Sequence, residues 1–422
     1  MNTGRMVIVE GGRTPFCRLG TDLAGADAVE LGRTAVSTLL TRTGLDPASI
    51  DSVLLGCVSP SADAPNPARV IALRAGIPEH VPAATVQRNC ASGMEALTLA
   101  ADKMAAGQGQ VFIVGGVESM SSMPFQFSPI AAEKFARVAR APSFWKRTCA
   151  LAALRPADFR PRHSLKLGLR DPLSGHTMGE TAELLAREYG ISRAEQDDWA
   201  LQSHKRACAA QAFLQEEIAP VYLRNGTVTV VARDNGPRPS QSAGALASLP
   251  PVFDTRHGTV TAGNASPLTD GAVALLVMSE RRAEALGHPP LGRWIGYAHA
   301  GCDPRRMGLG PVPAMMRAQE STGLAPASAD LIEINEAFAA QLLAVLRCAA
   351  HPDCARVLGP MRTDRINVNG GAIALGHPLG ASGARLVLTV LRELRRRKGH
   401  RALVTLCVGG GQGSAAWLEA IT

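Results

Sequence analysis

The sequence predicts an α/β protein built from two similar halves, with a further segment inserted into the first half. Three observations predict this fold: an internal repeat, apolar strands that alternate with helical segments, and a composition suited to buried cores. Apolar residues make up 46% of the 422 residues and charged residues 19%, which excludes a wholly disordered chain. A chain of this length exceeds one ordinary core, so we expect two or three packed units.

The internal repeat is read directly from the sequence. Residues 43–56, TGLDPASIDSVLLG, and residues 322–335, TGLAPASADLIEIN, are identical at seven of fourteen positions. Two shorter matches follow in the same order: ASG at 91–93 and 381–383, and VGG at 114–116 and 408–410. Three matches in register indicate a duplicated fold.

Each copy of the repeat contains the same order of elements. A Pro-Ala-Ser turn precedes an apolar strand, a helix begins at the ASG motif, and a buried strand then ends in glycines. The predicted strands are Val53–Leu55, Val111–Gly116 and Ala272–Met278 in the first copy, and Leu331–Ile334, Ala402–Gly411 and Ala415–Ile421 in the second. Strands that alternate with helices predict βα units and a mostly parallel sheet.

The last two strands of the first copy are separated by a long insertion. The expected domains are a first half at 1–121 that is completed by 254–283, an inserted loop domain at 122–253, and a second half at 284–422. The insertion begins with a basic segment, followed by a predicted helical region at Thr181–Ala212 and a polar loop at Asp234–Ser248.

The net charge of +8 comes entirely from one segment, 133–170, which contains ten basic and two acidic residues. The rest of the chain is balanced, which excludes a chain-wide nucleic-acid-binding composition. Four aromatic residues lie among the cations: Phe135, Phe144, Trp145 and Phe159. This interleaving suits an amphipathic element that docks on an acidic partner or an anionic membrane. Long-range steering of anionic substrates and a solvated loop without a partner are the alternatives.

Nine cysteines are scattered along the chain, and no CxxC pair suggests a zinc site or a disulfide framework. The first residues, MNTGRMVIVEGG, contain no apolar core of a signal peptide, and no run of about 18 uncharged apolar residues offers a membrane span. We therefore expect a reducing, cytoplasmic location.

Cys90, in QRNCASGMEAL, is the first candidate for chemistry. It stands just before the helix that begins at ASG, where free N–H groups and the partial positive charge of the helix favour a thiolate. The thiolate is the nucleophilic form of cysteine. A buried structural cysteine is the alternative, and the position of Cys90 in the repeat favours a functional residue.

Three further candidates lie in the second copy. His377, in NVNGGAIALGHPLGASGAR, precedes the helix that corresponds to the one after Cys90, so the duplication places these two residues in equivalent loops. Cys407, in LCVGGGQG, lies where a buried strand runs into glycines whose N–H groups can approach a ligand. Asn335 and Glu336 directly follow another strand, and Asn335 is also a candidate helix N-cap. Strand ends are where sites form in α/β sheets.

These motifs together resemble the thiolase family, which contains acetyl-CoA acetyltransferases and 3-ketoacyl-CoA thiolases. The resemblance extends from GRTPF at 12–16 to CVGGGQG at 407–413, and includes NCASG, GTVTAGNAS, NEAFA and GHPLGASGAR. It implies two similar halves in a five-layer αβαβα sandwich with an inserted loop domain. It also implies reversible acyl transfer between acyl-CoA and acetyl-CoA, without a metal or an organic cofactor.

The resemblance assigns a role to each candidate. The family cysteine that matches Cys90 carries the acyl group as a thioester, and the histidine that matches His377 activates its thiol. The cysteine that matches Cys407 exchanges a proton with the α-carbon of acetyl-CoA. The asparagine that matches Asn335 holds a water that stabilises the enolate oxygen, and backbone N–H groups at Cys90 and Gly409 form a second oxyanion hole. Claisen chemistry needs such a set because charge develops on two different oxygens.

Contacts with coenzyme A are also implied, largely from the inserted loop domain. Arg238 would contact the nucleotide end and Ser266 the pantetheine amide, while Met178 and Phe338 would line the thioester end. A solvated surface arginine is an equally good interpretation of Arg238. The family further implies a homodimer or a homotetramer.

The chain combines features of different family branches. Pro267 stands where many relatives have glycine, and segment 128–175 is longer and more basic than in short biosynthetic thiolases. That segment resembles the thiolase subunits of fatty-acid oxidation complexes, which suggests docking to another subunit. Those subunits usually have histidine where this chain has Asn335.

Two other functions are alternatives to thiolase activity. A decarboxylating β-ketoacyl synthase forms its carbanion by losing carbon dioxide and needs no base such as Cys407. A non-catalytic lipid carrier or scaffold would need none of Cys90, His377 and Cys407. The presence of all three residues favours a thiolase.

Overall fold

A computed structural model describes residues 5–355 and 358–421. The described chain forms two compact units. The main unit contains residues 5–122, 171–355 and 358–421, and the small unit contains residues 123–170.

Strands and helices alternate through most of the chain. The strands are β1 (Met6–Arg13), β2 (Cys17–Arg18), β3 (Ser52–Gly56), β4 (Ala83–Val86), β5 (Val111–Glu118), β6 (Phe125–Gln126), β7 (Arg162–His163), β8 (Val221–Asn225), β9 (Thr227–Val231), β10 (Thr269–Ser279), β11 (Gly292–Gly301), β12 (Leu331–Ile334), β13 (Arg401–Val408) and β14 (Gln412–Ala420). The α-helices are α1 (Ala28–Thr43), α2 (Pro67–Arg74), α3 (Ser92–Ala105), α4 (Pro129–Ala139), α5 (Phe144–Ala152), α6 (Ser164–Gly168), α7 (Met178–Glu188), α8 (Arg193–Ala209), α9 (Gln211–Gln215), α10 (Ala243–Ala247), α11 (Glu280–Leu286), α12 (Pro311–Thr322), α13 (Ala339–Ala350), α14 (Pro352–Ala355), α15 (Ala372–Leu375) and α16 (Leu379–Arg397). Short 3₁₀ helices lie at Pro47–Ser49, Pro156–Phe159, Pro304–Leu309, Pro326–Ser328 and Thr363–Arg365.

The main unit is built on a mixed sheet with the strand order β12-β13-β14-β11-β1-β10-β5-β3-β4. β3 pairs in parallel with β4 and β5, and β12 pairs in parallel with β13. The other neighbours in this order are antiparallel, so the prediction of a mostly parallel sheet is wrong. One reason is visible between β13 and β14, because the three-glycine turn 409–411 that joins them is too short for a parallel crossover.

The strand order shows the duplication predicted from the repeat. β1, β10, β5 and β3 lead outward from the centre of the sheet in the first half, and β11, β14, β13 and β12 do so in the second. The two halves of the sheet join through a short antiparallel contact, in which Val7 pairs with Arg293 and Ile8 with Gly292. The predicted repeat is therefore confirmed.

Apolar side chains divide the main unit into five layers. In β5, Val111 and Ile113 join a cluster with α1 and α2, while the alternate residues Phe112 and Val114 join a cluster with α3 and α16. The same central cluster contains Val404 of β13, so α3 and α16 lie between the two halves of the sheet. On the far side, α12 and α13 cover β12 to β14. This helix–sheet–helix–sheet–helix order confirms the five-layer prediction.

The central helices α3 and α16 meet at their N-terminal turns through direct backbone contact. A Cβ atom added to Gly93 would lie 2.7 Å from the carbonyl oxygen of Gly380, and one added to Gly383 would lie 2.5 Å from the Met94 nitrogen. Both distances are too short for a side chain, so the contact requires glycine. It brings the loop before α3, which contains Cys90, against the loop before α16, which contains His377.

The small unit has apolar contacts of its own. Phe135 in α4 packs between Phe127 and Phe159, with ring centroids 5.1 and 5.4 Å away. By contrast, Phe144 and Trp145 at the start of α5 are each 77% exposed. Across the described ranges of both units, no helix combines the length and apolar character needed to span a membrane.

Candidate active site

The Cys90 loop is held by hydrogen bonds on both sides of the cysteine. Asn89 adopts a left-handed backbone conformation, with φ of 45°, and its side-chain amide donates to the Gly409 carbonyl at 2.7 Å. The Ser92 hydroxyl accepts from the Arg88 N–H at 2.9 Å and donates to the Asn89 carbonyl at 2.7 Å. The loop of the first half is therefore tied to the glycine turn of the second half.

The Cys90 thiol is partly accessible, yet desolvation of its sulfur raises its pKa. Hydrogen bonds from the backbone N–H groups of Gly409 and of Cys90 itself oppose this rise without overcoming it. The expectation that the helix start stabilises a thiolate is therefore wrong for the free protein, because burial outweighs the N–H groups. Cys90 is a neutral thiol that needs a base.

His377 is the candidate for that base. Its ring Nδ1 lies 2.6 Å from the Ser382 hydroxyl, and that hydroxyl donates to the Pro378 carbonyl at 2.9 Å. Nδ1 must therefore carry the ring hydrogen and donate it to Ser382. This leaves a lone pair on Nε2, which accepts from the Asn335 amide at 3.3 Å.

Burial lowers the pKa of His377 to about 3, and the positive charge of Arg385 acts in the same direction. The imidazole is therefore neutral in the free protein, and its Nε2 presents a lone pair. The His377 backbone N–H donates to the Thr269 hydroxyl at 3.1 Å, which fixes the loop before α16.

Asn335 is fully buried after β12, and its backbone N–H donates to the Thr405 carbonyl at 3.0 Å. It is not the N-cap of α13, because that helix begins at Ala339. Its side-chain nitrogen faces His377, while its Oδ1 has no hydrogen-bond partner among the described protein atoms.

Glu336, the neighbour of Asn335, has a supporting position. Its carboxylate accepts from the Trp199 indole at 3.0 Å, the Ser203 hydroxyl at 2.7 Å and the Asn367 amide at 2.9 Å. It also accepts from the Ile373 N–H at 3.2 Å. Glu336 thus fixes the segment that leads to His377.

Cys407 lies near the end of β13 and is buried. Burial raises the pKa of its thiol well above the ordinary value, and the nearby sulfurs of Cys90 and Cys302 add to the rise. The turn that follows contains Gly410 and Gly411 at φ of 88° and 82°, a conformation that favours glycine. Cys407 is therefore a neutral thiol beside the Cys90 sulfur.

An apolar wall adjoins Cys407. Met178, Phe253, Phe338 and Cys407 pack in one cluster, and the rings of Phe253 and Phe338 meet edge to face at 6.0 Å. The Met178 sulfur lies against Gly409, at 3.3 Å from where a Cβ would be. The structure thus brings Met178 and Phe338 to the site, together with Phe253, which sequence reasoning missed.

The other two residues predicted to contact coenzyme A are less buried than Phe338. Ser266 is half-buried, and its N–H donates to the Ala337 carbonyl at 3.0 Å, which places it next to Phe338. Arg238 is exposed, and its backbone N–H donates to His204 Nδ1 at 3.3 Å. Among the described residues, the Arg238 guanidinium makes no hydrogen bond or ion pair, so both interpretations of this residue stay open.

Sequence reasoning also missed the hydrogen bonds of Asn89, Thr269 and Ser382. Ser382 could have been found, because it is the counterpart of Ser92 in the repeated ASG motif and both hydroxyls bond back to the loop before the helix. Phe253 and Thr269 lie outside the repeated motifs. Within the described ranges, no group of three or more His, Cys, Asp or Glu side chains is placed to hold a metal ion.

Two family models match the chain: the thiolase N-terminal domain over residues 6–281 and the thiolase C-terminal domain over residues 288–420. This chain belongs to the thiolase family.

Similar proteins agree with this assignment along the whole chain. An acetyl-CoA acetyltransferase of Pseudomonas aeruginosa is 43% identical over 98% of both chains. A 3-ketoacyl-CoA thiolase of Serratia proteamaculans is 40% identical over 98% of this chain and 97% of its own length. The solved human mitochondrial 3-ketoacyl-CoA thiolase in complex with CoA has 37% identity and a TM-score of 0.86, and the match covers 100% of this chain and 99% of that one. The protein is thus an acyltransferase with thiolase activity, which is favoured over a decarboxylating synthase or a non-catalytic scaffold.

The protonation states of this thiolase site predict how the alkylation rate of Cys90 depends on pH. In the substrate-free enzyme, the rate of Cys90 alkylation by iodoacetamide should increase about tenfold per unit between pH 7 and pH 9, because only the small thiolate fraction reacts. Time-resolved mass spectrometry of the Cys90 peptide measures the rate, and the exposed Cys149 monitors the reagent in the same digest. A rate that stays constant from pH 6 to pH 9 would instead reveal a preformed thiolate–imidazolium pair.

Proposed function

We propose that this thiolase transfers acyl groups reversibly between acyl-CoA and acetyl-CoA, with Cys90 as the covalent acyl carrier. The observation that supports the proposal is the convergence of two neutral thiols, a neutral imidazole and a buried amide from both halves of the repeat. The first half supplies Cys90, and the second supplies His377, Cys407 and Asn335.

In the cleavage direction, His377 Nε2 takes the proton of the Cys90 thiol, and the thiolate attacks the 3-keto carbon. The charge that develops on the keto oxygen is received by the N–H groups of Cys90 and Gly409. Both groups are already directed at the Cys90 sulfur. Such preorganised donors stabilise an oxyanion without reorganising during the reaction.

Collapse of this intermediate breaks the bond between C2 and C3, and the electron pair passes into the thioester as an enolate. Cys407 then donates its thiol proton to C2, which gives acetyl-CoA. The raised pKa of Cys407 suits this step, because the group must be protonated beforehand. A water held by the Asn335 side chain would stabilise the enolate oxygen together with the imidazole of His377.

The acyl group leaves Cys90 when a second CoA thiol attacks the thioester. That CoA thiol gives its proton to the Cys407 thiolate, and the His377 imidazolium returns its proton to the Cys90 thiolate that leaves. Both cysteines are then neutral thiols again, and the reverse sequence gives the condensation reaction. Two thiols are needed because one carries the acyl group while the other moves the proton.

Coenzyme A is the proposed common carrier of both substrates. Met178 and Phe338 would line its thioester end, since both belong to the apolar wall beside Cys407. Ser266 would meet the pantetheine amide, and the Arg238 guanidinium would pair with phosphate. No further cofactor is required by these steps.

The remaining assignments follow from the sequence and the family. We propose a homodimer or a homotetramer, and a reducing, cytoplasmic location on the basis of the odd number and scattered spacing of the nine cysteines. The proposed domains remain 1–121 with 254–283, the inserted loop domain 122–253, and 284–422.

The small unit is the proposed docking element, and an anionic lipid surface is the partner that its chemistry fits. Phe144 and Trp145 are exposed at the start of α5, directly before Lys146 and Arg147. Within the described chain, the side chains of Lys146, Arg147 and Arg140 form no hydrogen bond or ion pair. A second copy of the small unit would place its own cations opposite these cations and would be repelled. Steering of anionic substrates needs charge alone, so it does not account for the exposed aromatic rings.

The second prediction concerns the division of labour between the cysteines. Incubation with acetyl-CoA should place the acetyl group on Cys90, as measured by mass spectrometry of the digest. Cys407→Ala should retain this acylation but lose thiolysis of acetoacetyl-CoA by about 10²-fold or more, because it lacks the proton donor for C2. His377→Ala should slow both half-reactions.

Cys302→Ala is the matched control, since its sulfur is near Cys407 and the proposal gives it no role. It should keep near-normal thiolysis. An acetyl group found on Cys407 with Cys90 unmodified, or near-normal thiolysis by Cys407→Ala, would contradict the assignment.

The third prediction concerns lipid binding. The enzyme should co-sediment with vesicles of equal parts phosphatidylglycerol and phosphatidylcholine, but not with pure phosphatidylcholine. The triple variant Arg140→Ser, Lys146→Ser, Arg147→Ser should lose most of this binding, because each basic residue near an anionic surface contributes about 1 kcal/mol. Its kinetics on soluble acetoacetyl-CoA should not change.

The matched control removes the same charge from exposed residues of the main unit: Arg74→Ser, Arg281→Ser, Arg395→Ser. Equal loss of vesicle binding in this control would refute a specific role of the small unit. Failure of the wild-type protein to co-sediment with the anionic vesicles would refute it as well. A triple variant with lower kcat/KM at low salt only would identify substrate steering instead.

A further inference from the structure

Glu118 is a fully buried carboxylate that the mechanism does not use. It is the last residue of β5 and accepts three backbone hydrogen bonds, from the N–H groups of Val58 at 3.1 Å, Ser59 at 3.1 Å and Gly380 at 2.9 Å. Burial raises its pKa to about 7, while these three donors act in the opposite direction. Such a group is costly to bury and calls for a reason.

The contact with Gly380 crosses from the first half of the repeat to the second. Gly380 is the second residue of α16, and α16 has no side-chain cap from its own N-cap residue, Pro378. The N–H groups of a first helical turn have no partner within the helix, and negative charge is favourable there. Glu118 therefore caps the helix that follows His377.

The duplication places a related contact on the other side. When the two VGG motifs, at 114–116 and 408–410, are aligned, the position equivalent to Glu118 is Gln412, at the start of β14. Its Oε1 accepts from the Arg88 guanidinium at 3.1 Å, in the loop that leads to Cys90. Each half thus extends one acceptor side chain toward the central helix of the other half: Glu118 to the first turn of α16, and Gln412 to the loop before α3.

The space around Gly380 leaves little freedom for this arrangement. A Cβ on Gly116 would lie 1.9 Å from the Gly380 carbonyl oxygen, and a Cβ on Gly380 would lie 2.4 Å from the Val117 carbonyl oxygen. The end of β5 therefore touches the start of α16 directly. A lost hydrogen bond at Gly380 would shift the start of this helix rather than only a side chain.

We propose that Glu118 is a positioning residue that holds the start of α16, and with it His377, at the distance from Cys90 needed for proton transfer. The proposal rests on the proposed roles of Cys90 and His377. The negative charge of Glu118 also raises the pKa of the Cys90 thiol. Glu118 acts on His377 through Gly380 and is not part of the apolar wall of the site. Its loss should therefore lower turnover and leave substrate affinity nearly unchanged, because small displacements of reacting groups are costly to catalysis.

The test is Glu118→Gln, measured at pH 8, above the pKa of about 7 to which burial raises the wild-type carboxylate. The variant has nearly the same shape, removes the negative charge from the first turn of α16, and leaves an NH₂ group facing at least one of the three backbone N–H donors. We expect kcat for thiolysis of acetoacetyl-CoA to fall about tenfold or more, with both KM values within about twofold of wild type. Glu118→Asp keeps the charge and should recover part of the lost kcat.

Glu217→Gln is the matched control, because Glu217 is equally buried and hydrogen-bonds Arg13 at 2.8 Å. It should lower the thermal midpoint without lowering kcat. The proposal is overturned if Glu118→Gln keeps kcat within twofold of wild type, or if Glu217→Gln loses as much kcat at the same loss of stability. Failure of the catalytic assignment would appear separately, as a wild-type enzyme without an acyl group on Cys90.

Discussion

The structure depends on one contact, the backbone-to-backbone approach of α3 and α16 at their first turns. Gly93, Gly380 and Gly383 allow it, since any side chain there would meet main-chain atoms of the opposite helix. The two helices form the central layer, so their N-termini open onto the same site. A nucleophile and a base that belong to different halves of the sequence thereby become neighbours, and the hydrogen bond from Asn89 to Gly409 adds the glycine turn of the second half.

The electrostatics of the site follow from this burial. Two thiols and one imidazole are kept neutral by desolvation, so the free site holds no uncompensated charge in its catalytic groups. Charge appears only during turnover, where N–H donors and the Asn335 side chain are already in place. The site therefore stabilises charge that develops on a bound substrate more than charge on its own residues. This difference is what selective stabilisation of a transition state requires.

The sequence alone predicted the parts of the fold and of the site that depend on the internal repeat and on glycine. Cys90 and His377 stand in equivalent loops because both copies keep the ASG helix start, and Cys407 stands before a turn that only glycine can form. The antiparallel strands were not predicted, because alternation of strands and helices does not show where the chain turns back directly, as at 409–411. The neutral Cys90 was missed because the helix start is visible in the sequence, whereas the desolvation that outweighs it depends on distant segments. Glu118 and Phe253 act through contacts with distant parts of the chain, and local patterns do not reveal these.

The central claim is that the duplication brings one cysteine from each half into a single site. A short bifunctional thiol reagent, 1,3-dibromoacetone, tests it most directly, with cross-linked peptides identified by mass spectrometry. The account predicts that Cys90 is joined to Cys407 within one chain, and that prior acylation with acetyl-CoA prevents the link. Recovery of Cys90 joined to a different cysteine, or modified alone while Cys407 stays free, would contradict the account.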